Sequence, residues 1–187
     1  MDFDKIRKDY EKEESEREKV ILASREIIAL SKKVIYAIHR DDIATAEKEL
    51  LVLEKKIASL TKDIKGTKNY YSGSYKVAFQ EYVEALAYYH YIKKEELLPA
   101  KEGMDIEMYL LGICDLTGEL VRRALNQGIA GNFFEIRKVQ GFVSAVYEQM
   151  IQFNFRNGEL RKKVDSIRWD MKKLEEMTFD LKSRDKI

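Results

Sequence analysis

IATAEKELLVLEKKIASL, residues 43–60, decides the fold class. Its residues Ile43, Ala46, Leu50, Leu53, Ile57 and Leu60 advance by alternating steps of three and four. That rhythm lays one apolar stripe along a helix and cannot alternate as a strand must. The same rhythm returns in Leu160, Val164, Ile167, Met171, Leu174, Thr178 and Leu181, with Thr178 the one polar exception. Upstream, apolar pairs recur every seven residues at Val20/Ile21, Ile27/Ile28 and Val34/Ile35, followed by Ile38. Asp41 and Asp42 stand where an N-cap would start the second helix. Breaks are expected at Lys65–Asn69, around Pro99–Gly103, at Gly128–Gly131 and at Asn157–Gly158. With one proline and nine glycines in 187 residues, the chain has too few turn formers for many hairpins. The pattern predicts an all-α fold, a single antiparallel bundle of six to seven long helices, forming one domain over residues 1–187.

Composition narrows the function classes. Lys plus Arg is 34 and Asp plus Glu is 33, a formal charge of +1, so a strongly basic DNA-coating protein is excluded while local patches remain open. The lone Cys114 rules out an intramolecular disulfide framework and a multi-cysteine zinc site. The segment MDFDKIRKDYEKEESEREK, residues 1–19, is charged throughout and lacks the apolar run of a signal peptide. No stretch approaches the length of uncharged apolar sequence that spans a membrane. The chain is therefore expected to be soluble and cytoplasmic.

Two helices carry acids in unusual company. VAFQEYVEALAYYHYI, residues 77–92, has Glu81 and Glu84 as its only charges, although the chain as a whole is 36% charged. On a helical wheel the two fall about 60° apart, on the face that also holds Val77, Ala85, Tyr88 and Ile92. MYLLGICDLTGELV, residues 108–121, has only Asp115 and Glu119, one turn apart on a shared face. Gly112 and Gly118 flank that face, where each costs about 1 kcal/mol against alanine, so close approach of another backbone is expected there. Buried carboxylates are costly unless protonated, paired or metal-bound. Four of them without basic residues inside either stretch suit hard cations such as Mg²⁺ or Mn²⁺ rather than zinc. The competing reading pairs each acid with a basic residue from elsewhere in the bundle or from a neighbouring subunit. A di-iron site is disfavoured, because neither His39 nor His90 has the Glu three residues before it that such bundles use.

FQEYVEALAYYHYI (79–92), CDLTGELVRRALN (114–126) and LRKKVDSIRWDMKKLEEMTFDLKSR (160–184) resemble the translin family, and in particular its catalytic branch, the translin-associated factor X type. The resemblance covers most of the chain. It implies that Glu81, Glu84 and Asp115 are catalytic, Mg²⁺-binding residues of an endoribonuclease, with Glu119 a fourth catalytic member. It also implies about seven helices and a hollow closed oligomer, usually octameric, with acidic sites facing inward. The short chain suggests a prokaryotic or archaeal relative acting as a homo-oligomer. The expected function is metal-dependent cleavage of single-stranded RNA or RNA ends. The alternative is a non-catalytic single-stranded RNA- or DNA-binding protein, or an oligomeric helical scaffold.

Other residues complete the expectations. TKDIKGTKNYYSGSYK, residues 61–76, holds four lysines against Asp63 and leads directly into the acidic helix. Lys68 and Lys76 can neutralise phosphates while Tyr70, Tyr71 and Tyr75 offer stacking surfaces, so this patch is expected to bind RNA. The basic runs at 20–40 and 156–173 are read as surface or subunit contacts. Arg122 and Arg123 either hold the scissile phosphate or close ion pairs with Asp115 or Glu119. Tyr88, Tyr89 and Tyr91 are read as core or interface, and Cys114 as a small core residue. The heptad-like first helix, and the last helix with Trp169 and Phe179, carry more apolar surface than a monomer should leave exposed.

Overall fold

The structure is a computed structural model that describes residues 2–186. Among these residues are six α-helices and no strand: α1 (Phe3–His39), α2 (Ile43–Ile64), α3 (Gly73–Lys94), α4 (Ile106–Ile129), α5 (Phe133–Met150) and α6 (Glu159–Ser183). One short 3-10 turn, Lys68–Tyr71, precedes α3. The chain forms two compact units, Met1–Tyr89 and His90–Ile187, with the division falling inside α3. No helix is long and apolar enough to cross a membrane among the described residues.

In the first unit α1 and α2 form a hairpin, and the reason lies in residues 37–45. The Asp42 N–H donates to the Ala37 carbonyl at 3.0 Å and the Asp41 N–H to Ile38 at 2.9 Å, closing α1 with Asp41 in the left-handed region at φ 56°. The Asp42 carboxylate then accepts from the Thr45 N–H at 3.1 Å and starts α2. Of the two aspartates, then, Asp42 is the cap and Asp41 makes the turn. The predicted stripes meet here: Val20, Ile27, Val34 and Ile38 of α1 are buried, as are Ala46, Leu50, Leu53, Ile57 and Leu60 of α2. Full burial of each large side chain contributes about 1.5–3 kcal/mol. Residues 2–19 are almost wholly exposed. The first part of α3 joins this unit through Tyr75, whose hydroxyl lies 2.7 Å from Thr61 Oγ1, and Tyr88, whose hydroxyl lies 3.3 Å from His39 Nδ1.

In the second unit α4, α5 and α6 pack against one another. Leu111, Ile113, Leu116 and Leu120 of α4, Val139 and Val143 of α5, and Ile167 and Leu174 of α6 make its core. Between α4 and α5, Gly131 sits at φ 87° while the Asn132 N–H donates to Gln127 at 2.8 Å, a turn that favours glycine. The close helix approach expected at Gly118 is absent, because that residue is exposed and an added Cβ would meet nothing within 4 Å. At Gly128 the neighbour is a side chain, with an added Cβ standing 2.8 Å from Ile136 Cδ1.

Candidate functional site

α3 is buried over most of its length, as its apolar circumference requires, and its two acids ride within that surface. Glu84 is only 8% exposed, and Glu81, one turn earlier, is partly exposed. Further acids of α2 approach this helix within the first unit. Burial pushes the Tyr82 hydroxyl up to about 12, with the Glu54 charge adding to it. Burial likewise raises Tyr89, helped by its hydrogen bond to Glu47 and by that residue's charge. The sequence reading singled out neither Glu47 nor Glu54, which look like ordinary solvated positions of α2.

The α4 acids lie in the second unit and have cations close by. Lys163, from the first turns of α6, donates to Asp115 Oδ1. Glu119 Oε2 lies 3.6 Å from Arg122 Nη1 on its own helix. Arg123 reaches α5: its Nε donates to Glu135 Oε1 at 3.0 Å, and its side chain is 14% exposed. Lys138 continues that network, 3.6 Å from Glu135 and 2.6 Å from Glu95. Cys114 is buried as expected, and burial, then the Asp115 charge, push its thiol up to about 12.

Asp170 of α6 is an acid that sequence reasoning missed. Thr117 Oγ1 stands 2.7 Å from the Cys114 carbonyl oxygen and 2.9 Å from Asp170 Oδ2. The Thr117 hydroxyl is the donor to both, one proton shared between the carbonyl and the carboxylate. Burial raises the Asp170 pKa above the ordinary aspartate value, against the pull of Thr117 and Lys173. A raised carboxyl stabilises the folded state at low pH, and that contribution is lost as pH climbs through the raised value. Asp170→Asn should therefore be at least as stable as the parent at neutral pH. The difference between their melting temperatures should grow from pH 4 to pH 7, as thermal melts at several pH values would show.

The expected RNA patch is only partly a surface. Tyr71 is 83% exposed and meets Tyr70 edge-on at 5.3 Å. Lys68 is exposed and lies 3.0 Å from Glu13 of α1, while Lys76 is partly buried. Tyr75 is fully buried, so its reading as a stacking platform is corrected: it is core, packed against Tyr70 at 5.4 Å and bonded to Thr61. Local composition could not separate Tyr75 from its neighbours, whereas the helical phase that opens at Gly73 does.

Carboxylates without thiolate or free imidazole are the donors a hard divalent cation takes, so the donor chemistry fits Mg²⁺ or Mn²⁺. Among the described residues, however, no three His, Cys, Asp or Glu side chains are grouped to hold an ion.

An all-helical chain with paired acids on two apolar helices and a lysine–tyrosine turn leading into the first of them is the class defined so far. The chain belongs to the translin family, whose model matches residues 15–185. Translin of Gallus gallus is 36% identical over 81 residues, 43% of this chain and 35% of that protein, so the match spans about a third of its length. The translin-associated protein X homolog of Schizosaccharomyces pombe is 27% identical over 134 residues, covering 63% of this chain and 58% of the other. Among solved structures, the AfC3PO–duplex RNA complex aligns with a TM-score of 0.83 at 27% identity, covering 98% of each chain.

Proposed function

We propose that this chain binds RNA within a homo-oligomer and cleaves it as a divalent-cation-dependent endoribonuclease. The carrying observation is Glu84, a carboxylate buried to 8% exposure one turn from Glu81, in a helix without Lys or Arg from residue 77 to 92. Glu81, Glu84 and Asp115 would hold Mg²⁺ or Mn²⁺, with Glu119 assisting. The chemistry such a cation would supply is a bound water of lowered pKa and charge neutralisation at a phosphodiester. The chain's own part is to bring acids and exclude bulk water with the surrounding tyrosines and aliphatic residues. The RNA itself meets Lys68, Tyr70, Tyr71 and Arg122. The family and the RNA-bound structural relative support this reading. Self-association is supported by Trp169 and Phe179 of α6, 67% and 70% exposed; a closed shell, octameric as in the family resemblance, would cover them.

A second reading, a non-catalytic single-stranded RNA or DNA binder or a helical scaffold, is favoured by the ion pairs on Asp115 and Glu119. Labelled single-stranded RNA incubated with Mg²⁺ or with EDTA separates them. Cleavage in Mg²⁺ that stops in EDTA is the expected result. Retardation without cleavage in both buffers would establish the binder, and no interaction in either would leave a scaffold.

A further inference from the structure

We propose that Lys163 is the resident counter-ion of Asp115 that a divalent cation must displace, so this lysine sets the cation concentration at which the site loads. The inference rests on the metal-dependent reading above and deepens it. Lys163 follows Glu159 by one turn in α6, and the residues after it, Val164 and Ile167, are buried in the α4–α5–α6 core. Its stem is thereby fixed against α4, and its ammonium meets Asp115 Oδ1. The side chains of Lys163 and Asp115 are 27% and 25% exposed, so the pair is neither freely hydrated nor sealed.

The chemistry of the two cations makes them competitors. An ammonium is a compact monovalent charge on a flexible chain, and leaving costs it one partly screened ion pair. A divalent ion takes the same hard carboxylate oxygen and gains more from it. Displacement needs no proton transfer, because the lysine leaves charged and stays tethered to α6 beside the loaded site. Two neighbouring cations have acids of their own: Arg161 lies 3.4 Å from Asp165 on its own helix, and Arg122 lies 3.6 Å from Glu119. The pairing also accounts for an aspartate in a stretch, 108–121, that has no Lys or Arg of its own, since the cation arrives from 48 residues away.

The test is Mn²⁺ binding to the assembled full-length protein without RNA, followed by calorimetry or by the electron paramagnetic resonance of free Mn²⁺. Lys163→Met keeps the stem and removes the charge, and should bind Mn²⁺ about threefold to fivefold tighter than the parent, the scale of one partly exposed ion pair. Lys163→Arg should stay near the parental affinity, and Asp115→Asn should lose most of it. Lys163→Gln replaces Lys163→Met if the latter fails to assemble. Unchanged or weaker Mn²⁺ binding in the charge-removed variant, with the parent binding normally, overturns the role of Lys163 while leaving the metal reading intact. A parent protein that binds no Mn²⁺ overturns both.

Discussion

Replacing Glu81 and Glu84 together with glutamine should lower Mg²⁺-dependent RNA cleavage by about a hundredfold or more, the usual scale for removing the groups that stabilise charge at a reacting phosphate. The fold should survive. Glutamine keeps the shape and the hydrogen-bonding oxygen of glutamate and removes only the charge, including at Glu84, 8% exposed. Thermal melts should still show a cooperatively folded protein, and light scattering should report the same assembly as the parent. Stability and mass isolate the chemistry from the scaffold. Cleavage at the parental rate by this doubly substituted protein would end the nuclease reading.

The second large effect concerns folding rather than chemistry. Arg123 and Glu135 form a 3.0 Å ion pair whose side chains are 14% and 10% exposed. Removing one partner strands the other in a place that water hardly reaches, at a cost of about 3–5 kcal/mol for a fully buried pair. Lys138, 3.6 Å from Glu135, softens that loss. Arg123→Ala should thus destabilise the protein by about 2–3 kcal/mol, which for a chain of this size lowers the melting temperature by about 5–10 °C. Arg122→Ala, at an exposed position, should move stability by less than about 0.5 kcal/mol while weakening RNA binding. If the two variants melted together, the assignment of adjacent arginines to different tasks would be wrong.

The helices were legible because their evidence is local. Alternating threes and fours in α2 and α6 follow from the pitch of one helix, and the buried positions Leu50, Leu53, Ile57, Val164, Ile167 and Leu174 fall on those stripes. Loop residues were legible for the same reason, since Asp42 caps within three residues of itself. The anomaly of the acids was visible too, as a shortage of charge in α3 and α4. What surrounds them was not. Lys163 reaches Asp115 across 48 positions, and Asp170 reaches Thr117 across 53; no spacing rule spans such distances. The choice between phosphate and ion pair for Arg123 also depended on α5, where Glu135 looks like a routine acid at a helix start. Tyr75 shows the limit within a single motif: three tyrosines of one composition divide between surface and core once α3 sets their direction.

The exposed beginning of α1 has a consequence for how the molecule opens. Helix α1 has 37 residues and α2 has 22, and the buried positions of α1 begin only at Val20. The stretch before it holds its helix through the Asp2 cap and exposed pairs such as Arg7–Asp4 and Arg17–Glu14, each worth a few tenths of a kcal/mol. A segment of that length that buries no side chain is marginal in water, and the exposed Glu13–Lys68 pair adds little to it. Its backbone amides consequently unravel and reform without the rest of the hairpin giving way, whereas those from Val20 to Ile38 open only when the α1–α2 core does. Helix α1 is thus continuous in shape but divided in cooperativity, with the boundary set by the first buried valine and by no break in its hydrogen-bond ladder.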